Sequence, residues 1–233
     1  MANCIIRHIP NAITCCNLLS GCMAVISALN GDSQTAFLWI AAGAVADFLD
    51  GMSARILKCY SSIGKELDSL SDLVTFGVAP AMLCLKMLGN VEWPFAQGFI
   101  PYLGLVIAVA SALRLAKFNT DTRQTSSFLG LAVPADALFW CGIVQNGSFF
   151  AERQWAAWGL IAAIFLFAWL MLSEIPMFSL KFRDLSWRDN WLRYVFLAVS
   201  LVLLVTLGYV GMSAVIVWYI LLSLIFFKKK DVA

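Results

Sequence analysis

Charge is scarce in this chain and histidine is almost missing. Only 13% of its 233 residues are Asp, Glu, Lys or Arg, and the one histidine is His8. Soluble domains carry about 25% charged residues, so a water-facing surface along the whole chain is excluded. A lone histidine excludes phospholipase-D-type chemistry, which relies on a pair. Cysteine is present seven times (positions 4, 15, 16, 22, 59, 84 and 141) but never as C-x-x-C. That pattern suggests neither a zinc site nor a disulfide framework; buried free thiols are expected. The net charge of +2 marks no nucleic-acid groove, and topology and anionic headgroups account for the basic residues. There is no long linker, low-complexity tract or internal repeat. Pro10 and Asn11 interrupt the first apolar run, so the N-terminus does not read as a cleaved signal peptide.

What the chain has instead is apolar length. It is 61% hydrophobic, and its helix-length runs, separated by short polar loops, predict an all-α polytopic membrane bundle rather than a barrel. Eight spans are expected, near 11–29, 36–57, 67–89, 97–117, 131–147, 155–173, 192–209 and 211–227. Residues 1–173 read as a six-helix core. Residues 174–233 read as a cytoplasmic loop followed by a two-helix hairpin. With both termini in the cytoplasm, that side receives Arg7, Arg55, Lys58, Lys65, Arg114, Lys117, Arg123, Lys181, Arg183, Arg188, Arg193 and Lys228–Lys230. The other side keeps only Lys86 and Arg153, as the positive-inside rule requires.

Against this background four aspartates stand out: Asp47, Asp50, Asp68 and Asp72. A carboxylate at membrane depth is costly and normally lines a polar cavity or binds something. Asp47 and Asp50 are i and i+3, and Asp68 and Asp72 are i and i+4, so each pair shares a helix face. Two such faces turned together would form an oxygen-only cage of formal charge minus four, suited to hard divalent cations such as magnesium or manganese. The expected orientation puts this cage near the cytoplasmic face. A structural polar network, or an ion site in a carrier, is the blander reading of any one aspartate.

The set Asp47, Asp50, Gly51, Ala54, Arg55, Gly64, Asp68 and Asp72 fills every fixed position of D-x-x-D-G-x-x-A-R, eight residues, G-x-x-x-D-x-x-x-D. This resembles the signature of the CDP-alcohol phosphotransferase family. The resemblance implies two divalent ions held by Asp47, Asp50 and Asp68 with help from Asp72, and Asp72 as the general base. Arg55, a planar donor fork, suits a phosphate. Gly51 and Ala54 lack bulk, so a nucleotide can approach the backbone. Pro10-Asn11-Ala-Ile-Thr14 resembles the family's helix start beside the nucleotide, which makes Asn11 and Thr14 candidates for CDP-lipid binding. Equally, Asn11 is a helix cap and Thr14 a hydroxyl bonded back along its own helix. Ser61 is a further CDP-lipid candidate by resemblance, or an ordinary loop serine.

The acceptor is read from Arg114-Leu-Ala-Lys117-Phe-Asn119 and Phe128-Leu-Gly130-Leu-Ala-Val-Pro134-Ala. These segments resemble those of the family's serine-accepting branch, with Lys117, Ala132 and Asp136 as departures. The implied partners are CDP-diacylglycerol and L-serine, in a homodimer within the lipid bilayer, the inner membrane if the cell is bacterial. Arg114 would hold the serine carboxylate in a bidentate pair, and Asn119 would add a hydrogen bond. Snorkelling to lipid phosphate, or pairing with a protein carboxylate, is the other role open to Arg114. Lys117 is the helix-end lysine that topology requires, and Asp136 meets either the serine ammonium or Arg114. The same chemistry on glycerol 3-phosphate or an inositol phosphate, a cation carrier, and a non-catalytic lipid-binding scaffold are the competing functions.

Overall fold

The structure, a computed structural model, describes residues 8–59, 61–96, 98–121, 128–177 and 187–226, with the backbone alone at 128 and 187–189. Of the topological markers above, Arg7, Arg123, Lys181, Arg183, Lys228–Lys230 and the Arg188 side chain lie outside the described residues. The helices are α1 (Ile9–Leu29), α2 (Ser33–Leu57), α3 (Ser62–Gly89), α4 (Ile100–Thr120), α5 (Val133–Val144), α6 (Gly147–Glu152), α7 (Gln154–Leu172), α8 (Trp187–Leu207) and α9 (Tyr209–Phe226). α3 contains a π-helical stretch, Leu73–Val78, and α4 begins as a 3-10 turn, Ile100–Leu105.

Residue size decides which face of each helix turns inward. On α1 the buried positions are Pro10, Thr14, Asn17, Ser20, Gly21, Ala24, Ser27 and Ala28, a stripe of small and polar residues at helical spacing. Leu19 and Ile26 on the same helix are exposed, as are Leu38, Phe48 and Ile56 on α2. Lipid is as apolar as leucine, so membrane helices associate through small residues that let backbones approach, and large apolar side chains turn outward. Ser20 and Ser27 satisfy their hydroxyls by donating to the carbonyls of Cys16 and Met23, four residues back.

Capping sets the ends. Asp32 caps α2 by accepting from the Thr35 N–H at 3.0 Å, and hydrogen bonds from the Thr35 side chain and amide hold its carboxyl below the ordinary aspartate range. α2 ends at Lys58 in the left-handed region (φ 51°), whose amide returns to the Ala54 and Arg55 carbonyls. Ser61 then caps α3 by accepting from the Gly64 N–H at 3.0 Å. Helix three therefore starts a turn earlier than the sequence suggests, because Ser61 and the residues after it make a competent cap. At the far end, Gly208 (φ 57°) separates α8 from α9.

Among the described residues seven helices are long and apolar enough to cross a membrane, so the chain is an integral multi-pass membrane protein. The remaining expected span is α5, whose 12 residues rise only about 18 Å. Its ends nonetheless meet both ends of the bundle. The Leu131 N–H, just before α5, donates to the Leu170 carbonyl near the end of α7. Gln145, just after it, donates to the Ser33 carbonyl at the start of α2. A two-residue antiparallel pair, Phe128–Leu129 with Pro176–Met177, ties the approach of α5 to the segment after α7. Gly130 (φ 74°) lets this approach turn, and a Cβ there would lie 2.6 Å from the Met171 carbonyl oxygen. The loop read from 174 is thus anchored at its start, and its 178–186 stretch lies outside the described residues. α9 packs along α5, and Ser213 donates to the Phe139 carbonyl at 2.6 Å.

Helix contact at Gly104 is close enough to test. A Cβ there would lie 2.8 Å from the Leu85 amide nitrogen, whereas one at Gly89 meets nothing within 4 Å. Gly104→Ala is expected to destabilise by about 1–3 kcal/mol through overpacking. Gly89→Ala is expected to be neutral or stabilising by up to about 1 kcal/mol. Thermal melts of the two variants in detergent compare them directly.

Candidate active site and metal centre

The reversal between α2 and α3 turns the two aspartate pairs toward each other. Asp47 and Asp50 lie in the last three turns of α2, and Asp68 lies two turns into α3. One carboxylate oxygen from each of these three lies within 4.8 Å of those of the other two. Asp50 Oδ2 and Asp68 Oδ1 are buried with no hydrogen-bond partner among the described residues. Buried polar atoms are almost always partnered, and orphaned carboxylate oxygens converging on one point are the arrangement a cation completes. The donor set is oxygen only, so it fits magnesium or manganese and not a soft metal.

Asp72 stands apart from this trio. Its Oδ1 accepts from Asn17 Nδ2 of α1 at 3.1 Å, and Asn17 is fully buried. Asn17 did not figure in the sequence reading, since a single asparagine in an apolar run gives no signal until the partner helix is known.

Beside the trio opens a cavity of about 220 Å³. Five of the six residues named for CDP-lipid line it: Asn11, Thr14, Gly51, Ala54 and Ser61. Arg55 does not; it is exposed, and its Nε donates back to the Gly51 carbonyl at 2.9 Å. Lys65, Cys59 and Pro10 line the cavity instead, together with Gly64 of the signature. Lys65 was legible only as a topological charge, because the start of α3 was placed after it. Several local roles are now visible as well. Asn11 lies inside α1 and is not its cap, Thr14 donates to the Pro10 carbonyl at 3.0 Å, and Ser61 is the α3 cap. Gly64 leaves room for them, since a Cβ there would lie 2.9 Å from both Asn11 Oδ1 and Ser61 Oγ.

The acceptor candidates on α4 divide. Arg114 is buried, 7% exposed, with its guanidinium 4.9 Å from the Phe118 ring and no carboxylate in ion-pair contact among the described residues. Its electrostatic neighbours are Asp72 and Tyr219, the latter from α9. Asn119 Nδ2 donates to Ser69 Oγ at 2.8 Å, and its carbonyl accepts from Lys65 Nζ at 3.3 Å, so it ties α4 to α3. Lys117 donates to the Leu172 carbonyl and lies 4.0 Å from Glu174, as a helix-end lysine does. Asp136 is fully buried and accepts from Trp140 Nε1 at 3.0 Å, with its Oδ2 unpartnered. Arg114 forms no ion pair with it among the described residues; its partner is the indole four residues on.

A model of the CDP-alcohol phosphatidyltransferase family matches residues 7–203 of this sequence. The chain belongs to that family. Members depend on divalent metal ions, in keeping with the acidic cluster on α2 and α3. Several of its relatives carry the name CDP-diacylglycerol–serine O-phosphatidyltransferase. The one from Bacillus subtilis (strain 168) is 39% identical over 132 residues, 55% of this chain and 70% of the relative. That of Mycobacterium tuberculosis (strain ATCC 25618 / H37Rv) is 35% identical over 181 residues, 74% of this chain, and the match spans 61% of the relative's own length. That of Helicobacter pylori (strain ATCC 700392 / 26695) is 29% identical over 235 residues, 96% of each chain.

The trio predicts a defined metal affinity. Asp50→Asn removes one charge and replaces one carboxylate oxygen by an NH₂ that cannot ligate, and is expected to weaken manganese binding by about tenfold or more. Titration followed by the electron paramagnetic resonance of free Mn²⁺ measures it, and unchanged affinity would remove Asp50 from the centre.

Proposed function

We propose that this protein transfers the phosphatidyl group of CDP-diacylglycerol to the hydroxyl of L-serine, giving phosphatidylserine and CMP for phospholipid synthesis. One observation carries the reading: three carboxylates cluster, and two of them, Asp50 and Asp68, carry orphaned oxygens and line a cavity together with the signature residues Gly51, Ala54 and Gly64. The names of the relatives support serine as the acceptor.

In this mechanism Asp47, Asp50 and Asp68, with Asp72 beside them, would hold two divalent ions, whose contribution would be to offset the diphosphate charge and polarise its phosphorus. Asn11, Thr14, Ser61 and the small residues Gly51 and Ala54 hold the CDP moiety. Lys65 is the cation of that cavity, and Arg55 meets phosphate from outside it. Arg114 pairs with the serine carboxylate, with Asn119 at the rim. Asp72 takes the proton from the serine hydroxyl. The serine oxygen forms a bond to the phosphorus that bears diacylglycerol, and the bridging P–O bond breaks with its electron pair leaving on CMP. Residues 1–173 form the catalytic core and 174–233 the added hairpin. The site faces the cytoplasm, where CMP is released, in the inner membrane of a bacterial cell. The family resemblance supports a homodimer.

The test is CMP release by purified protein with CDP-diacylglycerol and magnesium or manganese. Serine, glycerol 3-phosphate, inositol and inositol phosphate are supplied in turn. Serine-dependent CMP with matching phosphatidylserine is expected. Release with another alcohol alone would overturn the acceptor, and none with any alcohol would favour a carrier. Asp72→Asn should lower kcat by about 10²–10⁴-fold while CDP-lipid still binds. Arg114→Ala should raise the serine KM by about tenfold or more and that of CDP-diacylglycerol by less than about threefold. Equal rises in both would point to general damage.

A further inference from the structure

Between α1, α2 and α3 lies a buried polar chain that the mechanism above leaves unused. Asn17 and Thr75 are both fully buried. Thr75 Oγ1 lies 2.8 Å from Asn17 Oδ1 and 3.0 Å from the Asn17 carbonyl oxygen, and Asn17 Nδ2 lies 3.1 Å from Asp72 Oδ1. Chemistry fixes its direction. Acting as the base, Asp72 is ionised and only accepts, so the amide presents its NH₂ to it; Oδ1 then faces Thr75, whose one hydroxyl proton is shared between Oδ1 and the Asn17 carbonyl oxygen. Carboxylate and hydroxyl thus fix the amide from its two ends.

The space around the chain is built for it. A Cβ at Gly43 would lie 2.5 Å from Thr75 Cγ2 and 2.9 Å from Asn17 Oδ1, and one at Gly21 would lie 2.9 Å from the Thr75 main chain. Thr75 itself sits in the π-helical stretch that begins directly after Asp72. Such single-turn widenings concentrate at functional sites, where they re-aim a side chain.

We propose that Asn17 and Thr75 are positioning residues for Asp72. They hold one carboxylate oxygen against α1, keep Asp72 out of the three-carboxylate cluster, and leave its other oxygen for the acceptor hydroxyl. The inference rests on the phosphatidyl-transfer reading and adds two residues to it.

Thr75→Val is close to isosteric and removes only the donor. It is expected to lower kcat by about tenfold or more while both KM values stay within about threefold. Manganese affinity, read from the resonance of the free ion, should also stay within about threefold. Thr75→Ser restores the donor and should return kcat to within about threefold of the parent. Should Thr75→Val fail to fold, Asn17→Ser cuts the same link from the other side and is read by the same measures. An unchanged kcat, a kcat loss accompanied by matching KM changes without rescue by serine, or a parallel loss of manganese affinity would each overturn the proposal. A parent enzyme that binds manganese but releases no CMP would sink the transfer reading and this one with it. An active parent with an indifferent Thr75→Val sinks this one alone.

Discussion

Everything in this bundle is arranged around negative charge that the chain does not itself neutralise. Three carboxylates bring oxygens within 4.8 Å of one another. Two full charges at that separation repel by about 3–4 kcal/mol at an effective dielectric of about 20, and partial burial adds a desolvation cost. None of the four aspartates forms an ion pair with a described lysine or arginine. No described side chain supplies the compensating charge. On the proposed reading a divalent cation supplies it, and the orphaned oxygens of Asp50 and Asp68 are its binding feature.

Holding such a cluster requires helices that approach closely without large apolar side chains between them. α1 meets this by turning its small and polar residues inward and its leucines out. The same choice admits the polar chain from Thr75 through Asn17 to Asp72, which Gly21 and Gly43 make room for. Close packing and the orientation of Asp72 therefore have one cause. Adding bulk anywhere on this stripe would push apart the helices that bring Asp50 and Asp68 together.

How much of this was legible in the sequence follows from what sequence signals encode. The aspartate spacing placed each pair on one face, and hydropathy located every membrane helix to within a few residues. Both are periodic properties of a single helix. α5 fell short of its expected length because the approach to it, held by the Phe128–Leu129 pairing and Gly130, is extended while equally apolar; hydropathy does not distinguish the two. Asn17, Thr75 and Tyr219 gave no signal, since their roles exist only between helices. Lys65 was missed because the cap at Ser61 moves the helix start ahead of it. The opposite case is Arg55, a signature position whose side chain folds back on its own helix.

Asp72 is the point where the two halves of the site meet. On one side lie the cavity and the carboxylate trio, formed by α1, α2 and α3. On the other lies Arg114 of α4, buried and without an ion-pair partner among the described residues, with Asp72 and Tyr219 of α9 nearby. Displacement at phosphorus needs the attacking and leaving oxygens roughly in line, so nucleotide and acceptor must approach from opposite sides. A base that serves such a reaction has to stand between them, fixed independently of both. Among the described residues Asp72 hydrogen-bonds neither the trio nor Arg114 but Asn17, on a helix that packs against α2 and α3 alike. On the proposed reading, the buried asparagine is what lets one carboxylate remain a base while the three others on α2 and α3 are given over to metal.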